Sequence, residues 1–183
     1  MPQCTSLLVL DMQEYFLEPS SHAFIPSAAA ILPYIQALNQ GFRSRKLPII
    51  FTRHINSPEN AGMMATWWKD LITEDHPLSQ IVPELVSIAD RVIAKTQYDG
   101  FYGTNLEEIL RSERVRQVLI SGVMTHLCCA STACSAFMRG FEVFFLVDGT
   151  ATYSEQFHRA TLLNLSHGFA IPVLTSEILR DLE

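Results

Sequence analysis

Six short apolar runs, separated by stretches of helical periodicity or by loops, are the feature that most narrows what this chain can fold into. They cover residues 7–10, 47–52, 92–94, 115–121, 141–147 and 170–174. The first, Leu7 to Leu10, is continuously apolar and closes on Asp11, the pattern of a strand buried on both faces whose tip emerges at a charged residue. Between the first two runs, residues 26–46 read as a helix with Ile31, Ile35, Leu38 and Phe42 on one face, and Pro33 is expected to distort its first half. Thr104 and Glu107 read as a capping box opening a helix over 104–111. Asp148 and Gly149 are expected to end the fifth run, Thr152 or Ser154 to cap the following helix, and Gly168 to stop it. A last helix is expected over 176–183. Such alternation predicts an α/β fold of three layers: a mostly parallel six-stranded, Rossmann-like sheet with helices on both faces.

With 183 residues, the chain is expected to form one domain over 1–183. Its net charge of -6, and a basic cluster limited to Arg43, Arg45 and Lys46, argue against a nucleic-acid partner. The apolar runs are too short to cross a bilayer, and "MPQCTSLLVLDMQ" has neither a basic n-region nor a small-residue cleavage site, so no membrane partner and a cytoplasmic location are expected. Of four cysteines, Cys128 and Cys129 are adjacent, Cys134 shares their helix and Cys4 stands apart, which fits reduced thiols better than a disulfide framework. No CxxC pair and no closely spaced histidine pair marks a zinc site.

In a parallel sheet the carboxyl ends of the strands share one edge, and ligands bind there. Asp11, His54, Lys95 and the turn before Cys128 all fall at such ends, so a carboxylate, an ammonium and a thiol are expected to converge from distant sequence positions. In "ISGVMTHLCCASTACSAFMRG" the thiol stands where a strand hands over to a helix, and unpaired N–H groups at a helix start favour a thiolate and a developing oxyanion. The long segment 55–85 is rich in loop formers yet carries Met63, Met64, Trp67 and Trp68, residues suited to walling a pocket or to packing in the core or between subunits.

"LLVLDMQEYF", "AKTQYDGFYGTNLEEIL", "SGVMTHLCCASTACSAF" and "VFFLVDGTAT", in that order, resemble the motifs of the isochorismatase-like cysteine hydrolases. That family includes nicotinamidases, carbamoylsarcosine and ureidoacrylate amidohydrolases and the isochorismatases. The resemblance implies a catalytic triad of Asp11, Lys95 and Cys128, a non-proline cis peptide from Val123 to Met124, and an oxyanion hole formed by the Met124 and Cys128 N–H groups. Adjacent helical residues point about 100° apart, and alignment of the surrounding glycine, threonine and "STA" selects Cys128 over Cys129.

Phe16, His54, Trp67, Trp68, Tyr98, Phe101, Tyr102 and His126 are candidates for contacting a small-molecule substrate. Where nicotinamidase-like members carry an Asp-x-His metal motif, this chain reads "FTRHINSPEN", so no metal and no other cofactor is expected and nicotinamidase is disfavoured. His126 is reminiscent of isochorismatases, in which an aspartate can drive vinyl-ether hydrolysis. The leading expectation is a metal-independent cysteine hydrolase that cleaves a C–N bond of an amide, carbamoyl or ureido compound through a thioester. An isochorismatase and a catalytically idle oligomeric scaffold are the alternatives. A homo-oligomer, dimer or tetramer, is expected from the family habit and the long apolar stretch containing Trp67 and Trp68.

Overall fold

The computed structural model describes residues 4–89 and 91–182. The first strand, β1 (Thr5–Leu10), is buried throughout, and its side chains alternate between two cores. Leu7 and Val9 pack with Ile35, Leu38, Phe42, Ile178 and Leu182 on one face, whereas Leu8 and Leu10 pack with Leu106, Leu110, Ala133, Ala136 and Leu165 on the other. This period-two division is why the run reads as continuously apolar: both faces of the sheet are covered.

After β1 come α1 (Glu14–Leu17), α2 (Leu32–Ser44), β2 (Ile49–His54), α3 (Met63–Trp68), α4 (Pro83–Val86) and β3 (Val92–Lys95). The second half comprises α5 (Leu106–Ser112), β4 (Gln117–Val123), α6 (Ala130–Met138), β5 (Glu142–Ala151), α7 (Glu155–Gly168), β6 (Ile171–Val173) and α8 (Thr175–Leu182). The strands form an all-parallel sheet in the order β3-β2-β1-β4-β5-β6. The order reverses between β1 and β4, which opens a crevice at their carboxyl ends. Among the described residues, no helix is long and apolar enough to cross a membrane.

Local chemistry shifts several expected boundaries. Pro33 lies in the first turn of α2, where its missing N–H costs no hydrogen bond, and a 3-10 turn (Ala28–Ile31) precedes it; the proline starts the helix rather than bending it. Asn105, not Thr104, is the N-cap of α5: the Thr104 hydroxyl donates to the Gly100 carbonyl at 2.6 Å and accepts from Leu106 N–H, while Glu107 pairs with Arg111 and Arg139. Strand β5 continues past Asp148 and Gly149, because a register shift lets Thr150 and Ala151 pair with Gly122 and Val123. Ser154 caps α7, accepting from Phe157 N–H. The segment 55–85 carries α3, α4 and an antiparallel bridge between Gln13 and Ile81. Residue 183, at the end of the expected last helix, lies outside the described residues.

Candidate active site

Each chemical group at the crevice is delivered by the end of a strand. The backbone leaves β1 at Asp11 with φ 51, in the left-handed region that aspartate tolerates better than most residues. His54 and Lys95 are the last residues of β2 and β3 and face each other in register. Beyond β4 a π-helical turn (Thr125–Cys129) carries Cys128. The peptide from Val123 to Met124 is cis, as the family resemblance implies. Just before it, Gly122 has φ 107, and a Cβ there would lie 2.1 Å from the Leu10 carbonyl oxygen, so only glycine allows β4 to approach β1 this closely.

The Lys95 ammonium is the hub of the cluster. It is 1% exposed and lies 2.7 Å from Asp11 Oδ2, 2.9 Å from the Gln97 carbonyl oxygen and 3.4 Å from both Cys128 Sγ and His54 Nδ1. Asp11 Oδ1 accepts from the Thr52 hydroxyl at 2.6 Å, and that hydroxyl in turn accepts from Asp11 N–H. Asp11 Oδ2 is buried and pairs with the Lys95 ammonium at charge-assisted distance. An ammonium can only donate, so His54 Nδ1 accepts and Nε2 carries the ring proton, which it donates to Asn56 Oδ1 at 2.7 Å. The Gln13 side chain fixes His54 from behind, accepting from its N–H at 2.7 Å and donating to its carbonyl.

Burial and neighbouring charge set the protonation states. Desolvation pushes the His54 pKa down to about 4, with the Lys95 charge adding to the effect, so the imidazole is neutral at pH 7. Burial alone pulls the Lys95 pKa down, but Asp11 and Cys128 outweigh it and hold the ammonium protonated. Burial pushes the Cys128 thiol up to about 12, the nearby ammonium opposing and the Asp11 carboxylate adding to the shift. The resting group is therefore a thiol beside a carboxylate–ammonium pair.

Asp11, His54 and Cys128 each bring one potential ligand atom within 4.8 Å of the others, a trio of the kind that holds a divalent ion. The Lys95 ammonium already serves that trio as its cation, and both ring nitrogens of His54 are engaged. A second cation there would meet like charge at close range, so these residues do not fit a metal.

Cys128 opens onto a cavity of about 60 Å³ walled mainly by Tyr15, Phe16, Met64, Trp68, Ile72, Tyr98 and Leu127, with His22, Asn56 and Asp70 as further polar lining. Of the sequence candidates, Phe16, His54, Trp68, Tyr98, Met124 and Cys128 line it. Trp68 Nε1–H donates to the Tyr98 hydroxyl at 2.7 Å, joining the end of α3 to the turn after β3. The other four candidates for substrate contact lie elsewhere. Trp67, next to Trp68 on α3 but turned about 100° from it, is 73% exposed. Phe101 is a core residue stacked on Phe141 with Arg139 over its ring, and Tyr102 is 61% exposed. His126 turns away, with Nδ1 2.6 Å from the Thr152 hydroxyl and its ring stacked on Phe157 at 4.4 Å. Cys129 points into the core, its thiol donating to the Ser121 carbonyl.

Several residues of the site escaped the sequence reading. Thr52 carried a faint signal as a hydroxyl ending an apolar run, and Asn56 as an amide two residues after His54. Tyr15 and Asp70, joined by a 2.6 Å hydrogen bond across 55 positions, carried none.

The family model described as "Isochorismatase domain" matches residues 5–177. The chain is an isochorismatase-family hydrolase. Its relatives include Nicotinamidase 3 of Arabidopsis thaliana, 38% identical over 97% of this chain and 88% of that protein. The isochorismatase of Bacillus subtilis is 29% identical over the whole of this chain, which spans 59% of that relative's length. Among solved structures, a cysteine hydrolase from Pseudomonas syringae pv. phaseolicola superposes with a TM-score of 0.94 at 26% identity, covering 100% of this chain and 93% of that one. For this isochorismatase-family chain the likeness accounts for the fold and the hydrolase class; the bond it cleaves has to be argued from the site.

Proposed function

We propose that this protein is a metal-independent cysteine hydrolase that cleaves the C–N bond of a small amide, with Cys128 as nucleophile. One observation carries the reading: a buried thiol faces an ammonium at 3.4 Å, and that ammonium is paired at 2.7 Å with a buried carboxylate oxygen, Asp11 Oδ2. That oxygen is placed to take a proton, and the thiol beside it has one to give.

As Cys128 Sγ attacks the amide carbon, its proton passes to Asp11, and Lys95 keeps a positive charge beside the changing sites. The oxyanion forms against the Met124 and Cys128 backbone N–H groups. Collapse of the tetrahedral adduct breaks the C–N bond, and Asp11 returns the proton to the departing nitrogen. Water then enters, gives a proton to Asp11 and attacks the thioester; the second collapse releases the acid and restores the thiol. The net reaction consumes one amide and one water and yields one acid and one amine or ammonia.

The cavity is small and mostly apolar, with Phe16, Trp68 and Tyr98 among its walls, which supports a flat or compact acyl group. Setting nicotinamidases aside on the "FTRH" departure alone does not stand beside a 38% identical relative of that name, so nicotinamide belongs among the first amides to test. The isochorismatase alternative loses the residue that motivated it, because His126 is engaged by Thr152 and Phe157 away from Cys128. A homo-oligomer remains part of the proposal, supported by Met63 and Trp67, which α3 presents to solvent; light scattering on the purified chain tests it.

The deciding experiment presents nicotinamide, benzamide, ureido compounds and isochorismate to the wild type, Cys128→Ala and Asp11→Asn, with intact mass read for an acyl adduct. Ammonia release with a Cys128-dependent adduct is expected. Amide turnover that survives Cys128→Ala rules out the covalent route. Vinyl-ether cleavage that needs Asp11 but not Cys128 replaces the proposal with isochorismatase chemistry, and inactivity across the panel supports the scaffold alternative.

A further inference from the structure

We propose that Asp70 is a specificity-determining carboxylate: it favours substrates with an ammonium or other N–H donor remote from the reacting carbonyl and rejects those with a carboxylate there. The inference deepens the amide reading and rests on it for the identity of the reacting bond.

The charges around the cavity are few and can be counted. At the floor, Asp11 and Lys95 cancel, His54 is neutral and Cys128 is a thiol. None of the residues lining the cavity is a lysine or an arginine. Asp70 also lines it, and among the described residues no cation pairs with that carboxylate. The mouth of the site thus carries one uncompensated negative charge.

The position of that charge is built. Helix α3 ends at Lys69, whose left-handed conformation (φ 61) turns the chain so that Asp70 meets Tyr15. The Tyr15 hydroxyl donates to Asp70 Oδ2 at 2.6 Å. Tyr15 is itself buried, edge-on to Phe16 at 5.5 Å and to His76 at 5.2 Å, so it anchors the carboxylate to the core. Burial, reinforced by Asp70, raises the Tyr15 pKa, which keeps the phenol a donor. Asp70 Oδ1 receives no hydrogen bond among the described residues and is left to accept one from a ligand. Phe16, Trp68 and Tyr98 add aromatic surface to the same cavity, and ring faces attract cations. A carboxylate-bearing substrate would find like charge at the mouth and no guanidinium or free ammonium to receive it.

Because Asp70 is open to solvent, screening keeps the effect moderate. Attraction of a cation and repulsion of an anion are each worth about threefold at such a site, hence about tenfold in their ratio.

The test uses the full chain at pH 8, which keeps histidine cations out of the comparison. Values of kcat/KM are measured for 3-(aminomethyl)benzamide, benzamide and 3-carbamoylbenzoate, matched in shape and differing in charge. In the wild type the ammonium compound is expected to exceed the carboxylate compound by about tenfold, with benzamide between them, and added salt to compress the series. Asp70→Asn is expected to bring the ratio close to one, and Tyr15→Phe to lower it part of the way. A ratio that Asp70→Asn leaves unchanged overturns the assignment. If no amide is hydrolysed, the amide reading fails by itself, and the charge preference is read instead from calorimetric binding of benzylammonium and benzoate. A preference for benzylammonium that Asp70→Asn abolishes sustains the proposal, and equal binding overturns it.

Discussion

The floor and the rim of the cavity are built by different means. At the floor, Asp11, Lys95 and Cys128 are at most 6% exposed, and each sits at the carboxyl end of a strand or in the turn that follows one. At the rim, Tyr15, Trp68, Asp70 and Tyr98 stand on the short helices α1 and α3 and on connecting segments. A floor residue cannot move without shifting a strand in its hydrogen-bonded ladder, whereas the rim is tied across by two side-chain hydrogen bonds, Tyr15 to Asp70 and Trp68 to Tyr98. Rigid strand ends hold the groups assigned to chemistry, and short helices and loops hold those assigned to selection.

On that division, floor substitutions should cost turnover or folding, and rim substitutions should change how tightly and which substrates bind while leaving kcat near its wild-type value. Cys128→Ala is expected to lower amide turnover by more than about a thousandfold. Its neighbour provides the contrast: Cys129→Ala should retain turnover and cost about 1 kcal/mol of stability, because it empties core space and removes only a weak thiol contact to the Ser121 carbonyl. Parallel rate and denaturation measurements check both, and equal loss of turnover in the two variants would break the assignment of the nucleophile.

Lys95→Met is expected to destabilise the fold by about 3–5 kcal/mol, since it leaves the buried Asp11 carboxylate without its counter-charge. A urea midpoint unchanged from the wild type would show that the pair does not hold the floor together. Double replacement by Asp11→Leu and Lys95→Met should recover much of that stability while remaining inactive, which separates folding from chemistry.

His54 makes stability depend on pH. Folded, its pKa is pushed down to about 4, first by burial and then by Lys95, from an ordinary value of 6.5. Between those values the unfolded chain binds a proton that the folded chain refuses, so stability rises with pH through this window. The contribution is complete above about pH 6.5 and is lost progressively as pH falls towards about 4, a swing of about 3 kcal/mol. His54→Gln should flatten this part of the profile; urea midpoints at pH 4.5 and pH 7 that fall equally in both proteins would contradict the buried neutral imidazole.

Rim changes are expected to be smaller. Trp68→Phe keeps an aromatic wall but removes the hydrogen bond to Tyr98, and should raise KM by about three- to tenfold with kcat near the wild-type value. Tyr102→Ala, at a solvent-exposed position away from the cavity, should leave both within about twofold. A large kcat loss in Trp68→Phe would mean that the rim takes part in positioning the reacting carbonyl.

The residues legible in the sequence are those whose placement follows from strand ends. Apolar runs fix where strands end, parallel order gathers those ends on one edge, and Asp11, His54, Lys95 and Cys128 followed from that rule together with the family motifs. The rule misses wherever side-chain direction or local capping decides. Trp67 and Trp68 are neighbours in sequence, yet one faces the cavity and the other water, because α3 turns by about 100° per residue. Phe101 and Tyr102 sit beside the lysine motif, but the core claims the first and solvent the second.

The sequence by itself determined the α/β layering, the parallel sheet and the nearness of a thiol, an ammonium and a carboxylate, because hydrophobic periodicity and chain connectivity are local or nearly local properties. Tertiary structure alone decided the state and use of those groups. Burial makes His54 neutral and holds Cys128 as a thiol, Lys95 takes the place of a metal among three potential ligands, and Tyr15 fixes Asp70 at the mouth. Desolvation and pairing between residues dozens of positions apart depend on how the layers close over the strand ends, and no local pattern of residues encodes them.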